Sequence, residues 1–196
     1  MRKIFYIILI FLSSMFVCYA QDIGFAQHEQ SEMLINPSLT GNFEEHGRAI
    51  LLYKNQLKQI SGTAYNTFGA SMEANIIDKF GVGIQFLTDQ TGLQNYSTNQ
   101  FNSSFSIQTT LNDMNSLAFG VQVSWTQKFV NLGEQTWNSQ YDGFEINNSL
   151  ATGEENVDDI QYVDASAGWM WKYKNPTLFN FSIGLGAYHL SRPKYK

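Results

Sequence analysis

Between Leu117 and Trp125 every second residue is large and apolar. Leu117, Phe119, Val121, Val123 and Trp125 share one face, and Ala118, Gly120, Gln122 and Ser124 share the other. This period of two fits an extended strand and not a helix. The pattern recurs. Phe80, Val82, Ile84 and Phe86 alternate with Gly81, Gly83 and Gln85. Phe101, Phe105, Ile107 and Leu111 oppose Asn102, Ser104, Ser106, Gln108 and Thr110. In 163–173 the apolar face is Val163, Ala165, Ala167, Trp169, Trp171 and Tyr173. In 179–189 Phe179, Phe181, Ile183, Leu185 and Ala187 oppose Asn180, Ser182, Gly184, Gly186 and Tyr188. Two softer segments, 48–56 and 64–74, bring the expected number of strands to seven. Strands of roughly 9–13 residues cross a tilted barrel wall.

Turn signals separate the strands: Ser61-Gly62, Asn75 to Asp78, Asn112-Asp113 and Asn175-Pro176. Residues 89–96 and 131–159 read as longer loops. The apolar faces could turn to lipid or could fill a soluble sandwich. Two features favour lipid. The opposing faces are small and polar over long strands, as a water-filled lumen requires. Trp125, Trp169, Trp171 and Tyr173 also lie near strand ends, at positions that suit interfacial girdles. The expected fold class is therefore all-β, a transmembrane antiparallel β-barrel.

Residues 1–20 read as a cleaved signal peptide. Arg2 and Lys3 give the positive start, residues 4–16 the apolar run, and Cys18-Tyr19-Ala20 the small residues before Gln21. A lipoprotein reading of Cys18 competes, but Val17 is bulky where that cleavage takes a small residue. After cleavage no cysteine remains, which removes disulfides, thiolate metal sites and thiol nucleophiles. Lys plus Arg falls from 12 to 10 against 17 Asp plus Glu, a net charge of −7. That balance argues against nucleic acid as a partner. No stretch after the signal approaches the length of a transmembrane helix.

No constellation points to catalysis, so no catalytic, cofactor-binding or metal residue is assigned, and the chain is read as not an enzyme. His28, His46 and His189 lack metal-ligand spacing, and Gly81-Val82-Gly83 lacks the third glycine of a dinucleotide fingerprint. Glu154, Glu155, Asp158 and Asp159, joined by Asp142 and Glu145, make the 131–159 loop acidic. Their spacing fits no EF-hand. They are the candidate partner-contact residues, suited to a basic patch.

The head of the mature chain carries further short blocks: Gln21-Asp22 with Phe25 and Gln27, then Asn36-Pro37 with Gly41. Tyr53-Lys54-Asn55-Gln56 follows, then Tyr65, Thr67 and Ser71, Gly81-Val82-Gly83, and finally Ala187 to Pro193. In this order and spacing the chain resembles the PorP/SprF family of outer-membrane proteins. It departs from that pattern at Ile23, where the family often has Pro, at Lys54 for Arg, and at Leu57 for Trp. The resemblance implies an outer-membrane barrel that helps secrete or anchor a type IX secretion cargo, a gliding-type adhesin held through its C-terminal domain. The implied partners are outer-membrane lipid, that adhesin and other type IX components. A pore for small solutes is the alternative that the polar strand faces allow, and a soluble periplasmic β-protein is a third reading.

The resulting division is a signal peptide at 1–20, a lead-in or plug segment at 21–47, and a barrel from 48 to 196. Seven strands is odd for a closed barrel. The family has more strands after the segment ending at Pro193, so the reading is of the N-terminal part of a larger barrel. An eight-stranded barrel using the head as a strand is the rival. Tyr53, Asn55 and Gln56 are expected to hydrogen-bond the head inside the lumen.

Overall fold

The computed structural model describes residues 23–25, 32–56, 65–77, 79–91, 96–130, 138–141, 144–146, 159–175, 177 and 179–192. The signal peptide, Gln21, Asp22 and Gln27 of the head, Ser61-Gly62, Leu57 and Pro193 lie outside these residues.

Seven strands form: β1 (Gly47–Gln56), β2 (Tyr65–Ile76), β3 (Phe80–Thr91), β4 (Tyr96–Asn112), β5 (Asn115–Val130), β6 (Ile160–Lys174) and β7 (Asn180–Ala187). Each pairs antiparallel with the next in chain order, so the chain is one meander. The sheet curls into a half-barrel. β3 to β6 run further than the alternation predicts, up to 17 residues in β4. The residues gained, such as Thr88 to Thr91 and Tyr96 to Gln100, are polar and lack the large apolar partners that mark a strand in sequence. Within the segment expected as a loop, Asp89 to Thr91 and Tyr96 are therefore strand, and residues 92–95 lie outside the described residues.

Local chemistry fixes the short turns. Asn112 Oδ1 accepts the backbone N–H groups of Met114 and Asn115, which closes the β4–β5 hairpin. Asn175 Oδ1 accepts from Thr177 N–H and Oγ1 in the β6–β7 turn. Such Asx bonding is how Asn initiates a turn. Between β2 and β3 the exposed Ile77 sits at φ +60°. A β-branched residue is strained there by about 1–2 kcal/mol. Ile77→Asn is expected to raise stability by about 1 kcal/mol, read as a higher urea midpoint in detergent. An unchanged midpoint would contradict that strain.

The faces are inverted relative to a soluble protein. Leu51, Ile84, Phe101, Phe119, Val123 and Leu185 are exposed on the convex side, Leu51 by 75% and Leu185 by 71%. Asn102, Ser104, Ser106, Gln122, Ser124, Thr126 and Ser166 are buried on the concave side. A sandwich would bury the apolar face under a second sheet. Among the described residues no such sheet exists, and the exposed apolar face fits an outer-membrane barrel wall. No described helix is long and apolar enough to cross a membrane.

Aromatic residues mark two levels on the convex face. Trp171, Tyr173, Phe179 and Phe181 cluster beside the β4–β5 and β6–β7 turns, with ring centroids 5.2–5.9 Å apart. The Trp171 indole donates to Asn115 Oδ1. Trp125 stands toward the other end. Ten residues separate the level of Asn115 from Trp125, roughly 33 Å along the strand. A tilt near 40° reduces that to about 25 Å of height, the height of a bacterial barrel's apolar band.

Candidate functional site: a head segment seated on a glycine row

The concave face is occupied by the head. A single helical turn α1 (Glu32–Ile35) leads into a 3-10 turn (Pro37–Leu39). Asn36 caps this turn from an extended conformation: its Oδ1 accepts Ser38 N–H at 3.0 Å and Ser38 Oγ–H at 2.8 Å. Pro37 takes the first position, where its missing N–H costs nothing. Among its described residues the head forms helical turns and no strand.

Strand register explains where the head sits. Gly81, Ser106, Gly120, Gly168 and Gly186 are direct cross-strand partners on β3 to β7. Four glycines and a serine thus form one bare row across the sheet. The head crosses the strands along it. Ile35 lies on Gly186, Asn36 and Pro37 on Gly168, Pro37 and Ser38 on Gly120, and Thr40 and Gly41 on Gly81. At Gly120 a Cβ would overlap the Pro37 carbonyl and the Ser38 nitrogen. Gly41 has φ +66°, and a Cβ there would stand 2.6 Å from Gly81 Cα. Only hydrogen at both positions permits this approach.

Polar bonds lock the seat. Asn36 Nδ2 donates to Trp169 O (3.1 Å) and Leu185 O (3.3 Å). Ser106 Oγ donates to Thr40 O at 2.6 Å, and Thr40 Oγ1 meets Ser104 Oγ at 2.7 Å. Tyr188 Oη donates to Leu34 O. The apolar contribution is small: Met33 is buried against Gly83, and Phe25 lies on Gly69 beside the buried Leu87.

Ion pairs hold the exit of the head. Arg48 on β1 bridges Glu32 of α1 (2.6 Å) and Glu73 of β2 (3.0 Å), while Glu73 also accepts Gly41 N–H at 3.0 Å. The Arg48 guanidinium lies 4.7 Å from the Phe43 ring centroid. Glu73→Gln turns one amide N–H toward a donor and is expected to cost about 1–2 kcal/mol, measured by chemical unfolding. A cost near zero would show that Glu32 alone satisfies Arg48.

The expectation for Tyr53, Asn55 and Gln56 is corrected. All three are exposed. Tyr53 and Asn55 occupy outward positions of β1 and bond Asn66 of β2. The inward neighbour Lys54 reaches the head instead, donating to Gly24 O and lying 6.0 Å from the Phe25 ring centroid. Period-two alternation assigns these roles, because Lys54 points inward when Tyr53 points out.

Of the candidate partner-contact residues, Glu145 and Asp159 are described and exposed, and Asp159 accepts from Gln127 Nε2 at 2.9 Å. Asp142, Glu154, Glu155 and Asp158 lie outside the described residues. Among the described residues no group of His, Cys, Asp or Glu could hold a metal ion.

One cluster escaped the sequence reading. Asp164 on β6 accepts from Ser191 Oγ and Ala165 N–H and pairs with His189 Nδ1 at 2.5 Å. His189 has φ +56°. Ser191 bonds the carboxylate and not the imidazole, so the trio lacks the serine–histidine contact of a nucleophilic triad. It ties the turn after β7 back to β6, with Leu190 N–H donating to Ala165 O.

Comparisons with curated proteins and with solved structures give no match. The family model described as type IX secretion system membrane protein PorP/SprF matches residues 17–196. An apolar convex face and a polar concave face suit the wall of an outer-membrane barrel, and the chain belongs to the PorP/SprF family of type IX secretion system membrane proteins.

Proposed function

We propose that this chain builds part of an outer-membrane barrel that helps deliver a type IX secretion cargo and hold it at the cell surface. The observation that carries the reading is the inverted wall, apolar outside and polar inside, in a chain of this family. The outer edges of β1 and β7 carry no partner strand among the described residues. Lipid does not tolerate unpaired edges, so the proposed barrel takes further strands on both. The cargo of this reading is a large adhesin recognised through its C-terminal domain. A proteomic comparison of cell surface and spent medium, with and without the gene, tests it. Loss of one large adhesin from the surface is the expected result. An unchanged surface proteome overturns the anchor role.

The acidic loop is the proposed contact. Changing Asp142, Glu145, Glu154, Glu155, Asp158 and Asp159 to their amides is expected to slow cargo capture and to lower retention several-fold at low salt, because rim charges act mainly on encounter rates. Retention equal to the parent would remove the loop from the reading.

The polar concave face favours a second reading, a solute pore. In that reading the seated head is a stopper, and the full-length protein conducts in planar bilayers only when the head is displaced. Absence of conductance from a head-displaced variant rejects it.

A further inference from the structure

The two ends of the head stand toward opposite ends of the strands. The linkers 77–79, 113–114 and 175–179 leave the sheet at one end, and 57–64, 92–95 and 131–159 leave it at the other. The rear of the head belongs to the first end. Gly41 lies on Gly81, the second residue of β3, and the chain runs on into Gly47, which pairs with Ala74 near the close of β2. The front belongs to the second end. Phe25 lies on Gly69, and Lys54, near the close of β1, donates to Gly24 O. From Gly69 to Asn75, the partner of Gly81, β2 runs roughly 20 Å.

Front and seat also differ in what surrounds them. Ile23 lines a polar chamber of about 220 Å³ together with Tyr96, Lys128 and Tyr162. Tyr96 opens β4, and Lys128 pairs with Ile160, the first residue of β6, so these residues mark the rim of the wall at the long-loop end. Gly24 is exposed, and a Cβ placed on it would meet no atom within 4 Å. Ser38 and Thr40, in contrast, have no exposed surface in the seat.

Bacterial barrels turn their short linkers to the periplasm and their longer loops to the cell surface. The 131–159 linker is far longer than any at the opposite end, so the front of the head lies toward the surface. We infer that the head is a plug presented to the cell-surface side: its front looks out through the chamber, its seat crosses the wall below, and continuous chain ties it to β1 at the periplasmic end. A partner arriving from outside meets Ile23 and Gly24 before the seat, and can engage the plug while its rear stays tethered. The inference rests on the outer-membrane barrel reading and adds the direction in which the plug faces.

Cysteine labelling on whole cells tests it. The parent carries only Cys18 and sets the background. The reagent is a maleimide on a polyethylene glycol chain, too large to pass porins yet thin enough to enter the chamber, and it is read as a gel shift of the full-length protein. Gly24→Cys is expected to shift on intact cells, as is Phe144→Cys in the long loop, where Phe144 is 95% exposed. Asp113→Cys, in the exposed β4–β5 turn, is expected to shift only once the outer membrane is opened. Ile23→Cys is the second variant should Gly24→Cys fail to fold. If Phe144→Cys shifts on intact cells and neither head variant does, the inference is overturned and the barrel reading stands. If Asp113→Cys shifts on intact cells and Phe144→Cys does not, the wall faces the other way and the inference falls. If neither control shifts on intact cells, the outer-membrane reading fails and takes the inference with it.

Discussion

The Gly120→Val variant is expected to lose its seated head. The new side chain would occupy the space of the Pro37 carbonyl and the Ser38 nitrogen, both backbone groups that no rotamer change can move. Overpacking alone costs about 1–3 kcal/mol. Displacement also gives up the bonds that Asn36 and Thr40 make to the sheet, so the total is on the order of 3 kcal/mol or more. Limited proteolysis reads the outcome directly, with cleavage between residues 32 and 46 appearing in the variant and absent from the parent. Val121→Ala, one residue along on the convex face, is expected to keep the head protected. Equal protection in both variants would mean that the head does not rely on the row.

Asn36 carries the second large effect. The side chain is buried, and its two ends do different work: the amide donates to two carbonyl oxygens of β6 and β7, and the carbonyl accepts two bonds from Ser38. Asn36→Ala strands these partners and is expected to cost about 3 kcal/mol. Asn36→Asp keeps the shape but aims a buried negative oxygen at Trp169 O and Leu185 O. It is expected to cost more than the alanine variant, about 4–5 kcal/mol. The order of the two is the test, by chemical unfolding in detergent micelles. An Asp variant milder than the Ala variant would show that the amide points the other way.

Much of the architecture was legible because alternation in single strands reports which face is apolar. Leu117 to Trp125 needs no partner to be read as a strand with two unlike sides. The same pattern assigns the convex face to Phe101, Phe105 and Ile107. The turns were legible at Asn112 and Asn175, where a side chain bonds its own neighbours. The seat was not legible. Gly81, Gly120, Gly168 and Gly186 come from four strands, and only the pairing register brings them into one line. Register depends on hairpin geometry and cross-strand packing, which one chain of letters does not display. Asn36-Pro37 with Gly41 read as turn punctuation, which they are, but their bearing on β3 and β7 is a tertiary fact. The Asp164–His189–Ser191 tie was hidden for the same reason, since Asp164 on β6 lies 25 and 27 residues before its two partners in the turn after β7.

The head stands far ahead of its partners in the chain. Asn36 bonds residues 133 and 149 positions further along the chain. Contacts this distant form slowly, because the loop between them must close before any bond rewards it. The seat is therefore complete only when β3 to β7 stand in register. A strand that slips by one residue turns its glycine outward and presents a neighbouring side chain in its place. Docking thus depends on the mutual alignment of five strands, β3 to β7, and one short segment reads that alignment along its whole length.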